Sequence, residues 1–319
     1  MPGSNVNWPG APLTRLLPFY PGQLGVPGSD TDLGLRLHST GDIFWVDRNN
    51  ADPSDLRDGT NPLSPLATIG AALAKCRPYR GDVVAVMANG AWDYASGANA
   101  PLPVNEAVTV TVDGVRLVGV FPSSAIGVPW QLGTTVNPAI TVQAMDVVIE
   151  GFCFMGSAGE TAIRAQWGGS NYGENLVVRH CFFDTGIGSA IELSYAWNCQ
   201  IHDNHFQGCT YGIRSIYTTS GADYLVVRNN LFANCTDTAI HMPLGEECHI
   251  LGNYFFADNL AGGYEFINLT GGNDNFVAGN FMGCLIGGAA TYNSANVAGT
   301  GDYWVANWCR DAMSVANPA

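Results

Sequence analysis

Asp223 and Glu246 occupy equivalent places in successive copies of a loose sequence repeat, and so do Glu247 and Asp274. If the copies lie one strand spacing apart, the members of each pair stand about 5 Å from one another. Like charges at that range are relieved by a shared proton or a bound cation such as Ca²⁺, which makes these four carboxylates the candidate metal ligands. The segments that carry them, Gly173-Glu174-Asn175, Ala196-Trp197-Asn198, Ala222-Asp223-Tyr224, Gly245-Glu246-Glu247 and Gly272-Asn273-Asp274, also read as plain solvated bends. There a small residue permits positive φ and Asx side chains close the turn.

A second column, Arg164, Glu192, Arg214, His241 and Asn268, follows a recurring Ile by one residue and so points outward. Its alternating charge reads as a surface ion ladder, each pair worth under about 1 kcal/mol. His202 and His205 form a close His pair, but three residues along a strand face opposite ways, which argues against a shared metal. G-x-S-x-G, phosphate-loop and zinc-type spacings do not occur. No residue is therefore assigned a catalytic role, and apart from a possible Ca²⁺ no cofactor is implied.

The elements that must position these residues follow from the repeat itself. A small residue followed by Ile recurs at Ala139-Ile140, Ala162-Ile163, Ala190-Ile191, Gly212-Ile213 and Ala239-Ile240, with Phe266-Ile267 in the same place. Aligning VVIEGFCF, LVVRHCFF, CQIHDNHF, LVVRNNLF, CHILGNYF and NFVAGNFM stacks Ile149, Val178, Ile201, Val227, Ile250 and Val277 in one inward column. Phe154, Phe183, Phe206, Phe232, Phe255 and Met282 fall in another. Asn204, Asn230, Asn253, Asn280 and Asn307 align at a bend, where side-chain amides one strand apart can bond along the stack. A period of roughly 22 to 28 residues is too short for a strand-helix crossover, and the leucine-rich pattern is missing, so each repeat is one coil of a solenoid. The fold expected is all-β, a right-handed parallel β-helix of roughly eight to ten coils.

Ahead of the coils, residues 1–40 carry Pro2, Pro9, Pro12, Pro18, Pro21 and Pro27, a pattern that holds neither a helix nor a central strand. This is read as an extended docking arm, because Trp8, Leu16, Leu17, Phe19 and Tyr20 are too apolar for a solvated tail. Residues 41–107 are read as a cap. Its helix lies in SPLATIGAALAKC, with Ser64 as N-cap, Pro65 as first helical residue, and Ile69, Leu73 and Cys76 on one face. The coils occupy 108–309 and a short tail 310–319.

Composition narrows the partners. Charged residues make up 13% of 319 and Gly reaches 39, which favours many tight turns over exposed helices. A formal charge of −14 argues against nucleic acid as a partner. No stretch approaches the ~20 apolar residues of a membrane helix, and MPGSNVNWPG lacks the regions of a signal peptide. A cytoplasmic site of assembly is expected, with the nine cysteines as reduced core filler.

The segment DGTNPLSPLATIGAAL, the strand in GDVVAVMANGAWDY and the Asn- and Phe-rich coils after them resemble pectate-lyase-like β-helices over residues 43 to 309. The resemblance implies the architecture and leaves the activity open, since this fold serves polysaccharide lyases, glycosidases, bacterial surface proteins and bacteriophage tailspike and decoration proteins. The Gly-His-Gly and Arg-Ile-Lys segments of polygalacturonases do not occur, and Lys75, the single lysine, lies outside the coils, so Arg would have to serve as the base of a lyase. The expectation is therefore a structural protein of a bacteriophage virion, a capsid decoration or tail-associated β-helix. Its arm would bind other virion proteins such as the major capsid protein, and it would form a homo-oligomer, preferentially a trimer, with a surface glycan as a possible further ligand. The alternative is a tailspike-like polysaccharide lyase or glycoside hydrolase, with Trp167, Tyr172, Trp197 and Tyr224 offering sugar-stacking surfaces.

Overall fold

The computed structural model describes residues 40–50, 53–87, 103–120, 127–166, 173–216, 222–257, 265–284 and 296–309. The arm residues Trp8, Leu16, Leu17, Phe19 and Tyr20, and also Trp167 and Tyr172, lie outside these residues. Strand β1 (Ile43–Val46) pairs in parallel with β2 (Val83–Met87). A third strand, β3 (Val108–Val110), founds a separate sheet, and β4 (Arg116–Val120) pairs with β2. From there the chain visits three sheets in turn, of ten, eight and eight strands, every strand pairing in parallel with its counterpart one coil away. This is a right-handed parallel β-helix, as the repeat predicts. We call the ten-stranded sheet A, the sheet ending in Trp308–Cys309 B, and the sheet founded by β3 C.

The register of sheet A places Leu117, Ile149, Val178, Ile201, Val227, Ile250 and Val277 in one inward column. In sheet B the rings of Phe154, Phe183, Phe206, Phe232 and Phe255 stack face to face, with centroids 5.2, 4.8, 4.5 and 4.9 Å apart. All five are completely buried, and Trp130 continues the stack one coil earlier. Each ring is removed from water completely, so the stack makes a large apolar contribution to the core.

Sheets A and B meet at a bend that would leave backbone amides buried without partners. The Asn column supplies them. Asn230 Oδ1 accepts from the Asn204 backbone N–H at 2.9 Å and from Asn204 Nδ2 at 3.0 Å, while Asn230 Nδ2 donates to the Ile201 carbonyl at 2.8 Å. Asn253, Asn280 and Asn307 repeat the pattern coil after coil, all of them buried. The residue just before each Asn, or before Cys181 in the coil where Cys takes its place, takes a positive φ: His180, Asp203 and Asn229, then Gly252, Gly279 and Ala306.

The cap helix differs from expectation. It is α1, Ile69–Leu73, and its N-cap is Thr68, whose hydroxyl accepts from the Ala71 N–H at 3.1 Å. Ser64 and Pro65 precede it in a turn because Leu66 is claimed by the sheet, donating to the Trp45 carbonyl and accepting from the Asp47 N–H. Asp55 accepts from the N–H groups of Ala67 and Thr68, and Glu106 accepts from Ile69 N–H at 2.6 Å, so the start of the helix is fully capped. Ile69, Leu73 and Cys76 are buried, as the periodicity requires. No described helix is long and apolar enough to cross a membrane.

Seven cysteines are described as free and buried, and burial pushes the thiols of Cys76, Cys199, Cys235 and Cys248 up to about 12. They should stay unlabelled by a thiol reagent in the native protein and react on denaturation. Replacing Asn230→Ala leaves the Asn204 N–H and the Ile201 carbonyl buried and unpaired, an expected loss of about 2 to 4 kcal/mol in denaturant unfolding. Phe232→Ala should cost about 3 to 5 kcal/mol.

Candidate functional site

The carboxylate turns have the register the sequence implies. Tyr224 N–H donates to the Glu246 carbonyl and Glu247 N–H to the Asn273 carbonyl, so Tyr224, Glu247 and Asp274 stand in line, each at positive φ. Asp223 Oδ1 accepts from the Glu246 N–H at 3.3 Å, and Asn273 Nδ2 donates to Glu246 Oε1 at 3.4 Å. Burial pushes Asp223 above the usual carboxylate range, opposed by that hydrogen bond and reinforced by the Glu246 charge. Glu246, Glu247 and Asp274 are exposed, and no group of three or more His, Cys, Asp or Glu side chains suited to a metal occurs among the described residues.

The second column requires a correction. Glu192 points away from the core but is completely buried, because Arg164 and Arg214 close over it from the coils on either side. Burial alone would raise its pKa, but the hydrogen bond from Arg214 and the charges of both arginines more than offset this and hold it below the usual carboxylate range. It is an enclosed Arg-Glu-Arg triad, and breaking such a unit costs more than a surface pair, about 3 to 5 kcal/mol.

His202 and His205 are separated by the bend: His202 ends a strand of sheet A and His205 begins one of sheet B. His205 packs edge-on against Phe182 at 4.7 Å. Burial pushes it down to about 4.

His202 has a different neighbourhood: it is itself buried, within a cluster of ionisable side chains on the outer face of sheet A. The register aligns Glu150, Arg179, His202 and Arg228 in one outward column across four coils. The next position carries His180 and Asp203, turned outward by the positive φ of the bend. Glu150, fully buried, is bound by Arg116 at 2.9 Å and Arg179 at 2.6 Å. His180 lies between two carboxylates, with Nδ1 3.9 Å from Glu150 and Nε2 3.9 Å from Asp203. Asp203 Oδ2 is 2.8 Å from His202 Nδ1. Burial would raise Asp203, but the His202 hydrogen bond, followed by the charges of His202, His180 and Arg228, brings it below the usual carboxylate range.

An ionised Asp203 can only accept, so His202 Nδ1 carries the proton and Nε2 of the neutral ring holds the free lone pair. The imidazole is oriented by a carboxylate and flanked, one coil to each side, by Arg179 and Arg228. The cluster holds three guanidinium groups against two carboxylates, in a chain of net charge −14. Such an arrangement can accept a proton beside a bound anion. Sequence reasoning missed it, although the signal was present in the aligned segments: Glu150-Gly151, Arg179-His180, His202-Asp203 and Arg228-Asn229 occupy the same two positions of the repeat.

The family model for the right handed beta helix region matches residues 141–282, which hold all of this cluster except Arg116. No curated protein matches the sequence. Solved structures with similar coils include a rhamnogalacturonan lyase (12% identity, 84% of this chain and 87% of that one, TM-score 0.35). Another is the GH136 lacto-N-biosidase from Eubacterium ramulus (11%, 84% and 67%, 0.36). A third is endopolygalacturonase I from Stereum purpureum (10%, 76% and 84%, 0.35). Likenesses this distant carry no functional argument.

The depressed pKa of His205 gives a testable acid response. Its folded value, about 4, lies below its ordinary value of 6.5, so the unfolded chain takes up the proton first. Stability should fall as pH drops from 6.5 towards 4 and level off below that. His205→Phe should flatten this part of the stability profile, measured by urea unfolding at a series of pH values.

Proposed function

We propose that the protein cleaves an acidic polysaccharide by β-elimination, using the outer face of sheet A. The observation that carries this is the imidazole of His202, oriented by Asp203 and standing between Arg179 and Arg228 in adjacent coils. In such a reaction a base removes the proton next to a uronate carboxylate, the electron pair forms a carbon-carbon double bond, and the glycosidic oxygen leaves and takes up a proton. Arginine paired with the substrate carboxylate makes the adjacent proton more acidic. His202 Nε2 is the base. Both ring nitrogens of His180 face carboxylates, Glu150 and Asp203, so the leaving oxygen takes its proton from water.

Hydrolysis fits the residues less well. A glycosidase of the usual kind needs two carboxyl groups, one of them protonated as the acid. Glu150 is enclosed by two arginines, and Asp203 is held ionised by its imidazole and cationic neighbours. Neither is suited to deliver a proton. The reading as a virion protein draws on residues 1–39, outside the described structure, and no observation in the coils favours it.

The test is a panel of acidic polysaccharides, polygalacturonate and alginate among them, followed by ultraviolet absorbance of the unsaturated product. The expected result is cleavage of at least one, lost by about 10²- to 10⁴-fold in His202→Ala. Arg228→Ala should raise KM, and His249→Ala, on the same face but outside the cluster, should leave the rate unchanged. Asp223→Asn with Glu246→Gln should also leave it unchanged. A panel left intact by the wild-type protein, or full activity in a folded His202→Ala variant, removes the reading.

A further inference from the structure

Outward positions of a β-helix normally meet solvent, yet one patch of sheet A does not. The register turns Val84 and Leu117 inward, so Val83, Ala85 and Val118 face away from the core. All three are nonetheless 0% exposed, and they form an apolar cluster distinct from the main core. The described residues packed against it are Ile43, Trp45 and Val120, all from the same three strands. Lateral neighbours within one sheet shield the flanks of a side chain but not its tip. Complete exclusion of water from an outer face needs a layer laid across it.

We propose that this layer is the chain's own N-terminal segment, residues 1–39, which folds back across the outer face of β1, β2 and β4. The point of entry favours it. The segment joins at Thr40, whose hydroxyl donates to the Arg80 carbonyl, and Asp42 N–H donates to Asp82 Oδ1 at 2.7 Å. These contacts set the segment down beside Val83, at the starts of the strands, and β1 is the edge strand of the sheet. Thirty-nine residues reach about 130 Å when extended, and three strands span only about 10 Å. The composition also fits: Trp8, Leu16, Leu17, Phe19 and Tyr20 are spaced by prolines that cannot form a regular helix or ladder but can present side chains to an apolar face. Sheet-face docking of this kind buries the arm's apolar residues within the same molecule, without requiring another protein.

The patch adjoins the proposed catalytic column, since Trp45, Ala85 and Val118 precede Glu150 in register. The inference itself stands independently of the proposed activity, because it rests on burial and register alone.

The experiment places a photo-crosslinking p-benzoylphenylalanine at Ile43 and, in a second protein, at Val120, both on the rim of the patch. The full-length chain is irradiated and digested, and the linked peptides are identified by mass spectrometry. The expected product is an intramolecular link to a peptide from residues 1–39, from at least one of the two positions. A link to residues 88–102 or 121–126, a link between two copies of the chain, or no link from either folded protein would overturn the proposal.

Discussion

Everything in this molecule depends on one constraint, the exact repetition of strand register at the bend between sheets A and B. A parallel coil turns its backbone amides inward at each corner, and a buried N–H without a partner costs about 1 to 3 kcal/mol. The Asn column meets that cost by bonding each coil to the next through backbone and side chain at once. A slip of one residue in any coil would break two such contacts and turn the phenylalanine stack outward. Stability and register are therefore the same property here, and the outward chemistry inherits its spacing from them.

Because neighbours along the stack are fixed, an outward residue meets residues of the coils on either side at its own repeat position or close to it; Arg116, which binds Glu150, stands in line with Val148. Ionic clusters form as columns. Glu192 between Arg164 and Arg214, and Glu150 between Arg116 and Arg179, are two versions of one arrangement, a carboxylate enclosed by guanidinium groups from neighbouring coils. A fully enclosed carboxylate contributes little net stability once its desolvation is counted. What it does supply is position: it holds the arginines in place.

Much of this was legible in the sequence. The Ile and Phe columns, the Asn ladder and the alignment of Asp223 with Glu246 follow from a repeat that can be read by eye, because inward positions tolerate few residue types. The helix boundary was less legible, since Ser64 and Pro65 are good helix starters locally and it is the pairing of Leu66 with the sheet that displaces the start to Thr68. Burial of Glu192 was illegible for another reason. Facing outward was equated with exposure, whereas the arginine stems above and below a carboxylate can cover it entirely. The Glu150 to Arg228 column lay in the same aligned segments, but its meaning requires the bend that turns His180 and Asp203 outward beside it.

The two carboxylates of that column have been driven apart in role by their surroundings. Glu150 has no exposure and two arginines, so its charge is fully spoken for. Asp203 is partly open, and its principal partner is an imidazole, which unlike a guanidinium exists in a neutral as well as a charged form. Each proton that His202 accepts increases its attraction to Asp203, so the carboxylate stabilises the charged ring that proton abstraction creates. Glu150 has no such responsive partner in direct hydrogen-bond contact; its contact with His180 is the longer 3.9 Å. Chemistry on this face accordingly centres on His202 and Asp203, with Glu150 anchoring Arg179 at the spacing that one coil of the helix dictates.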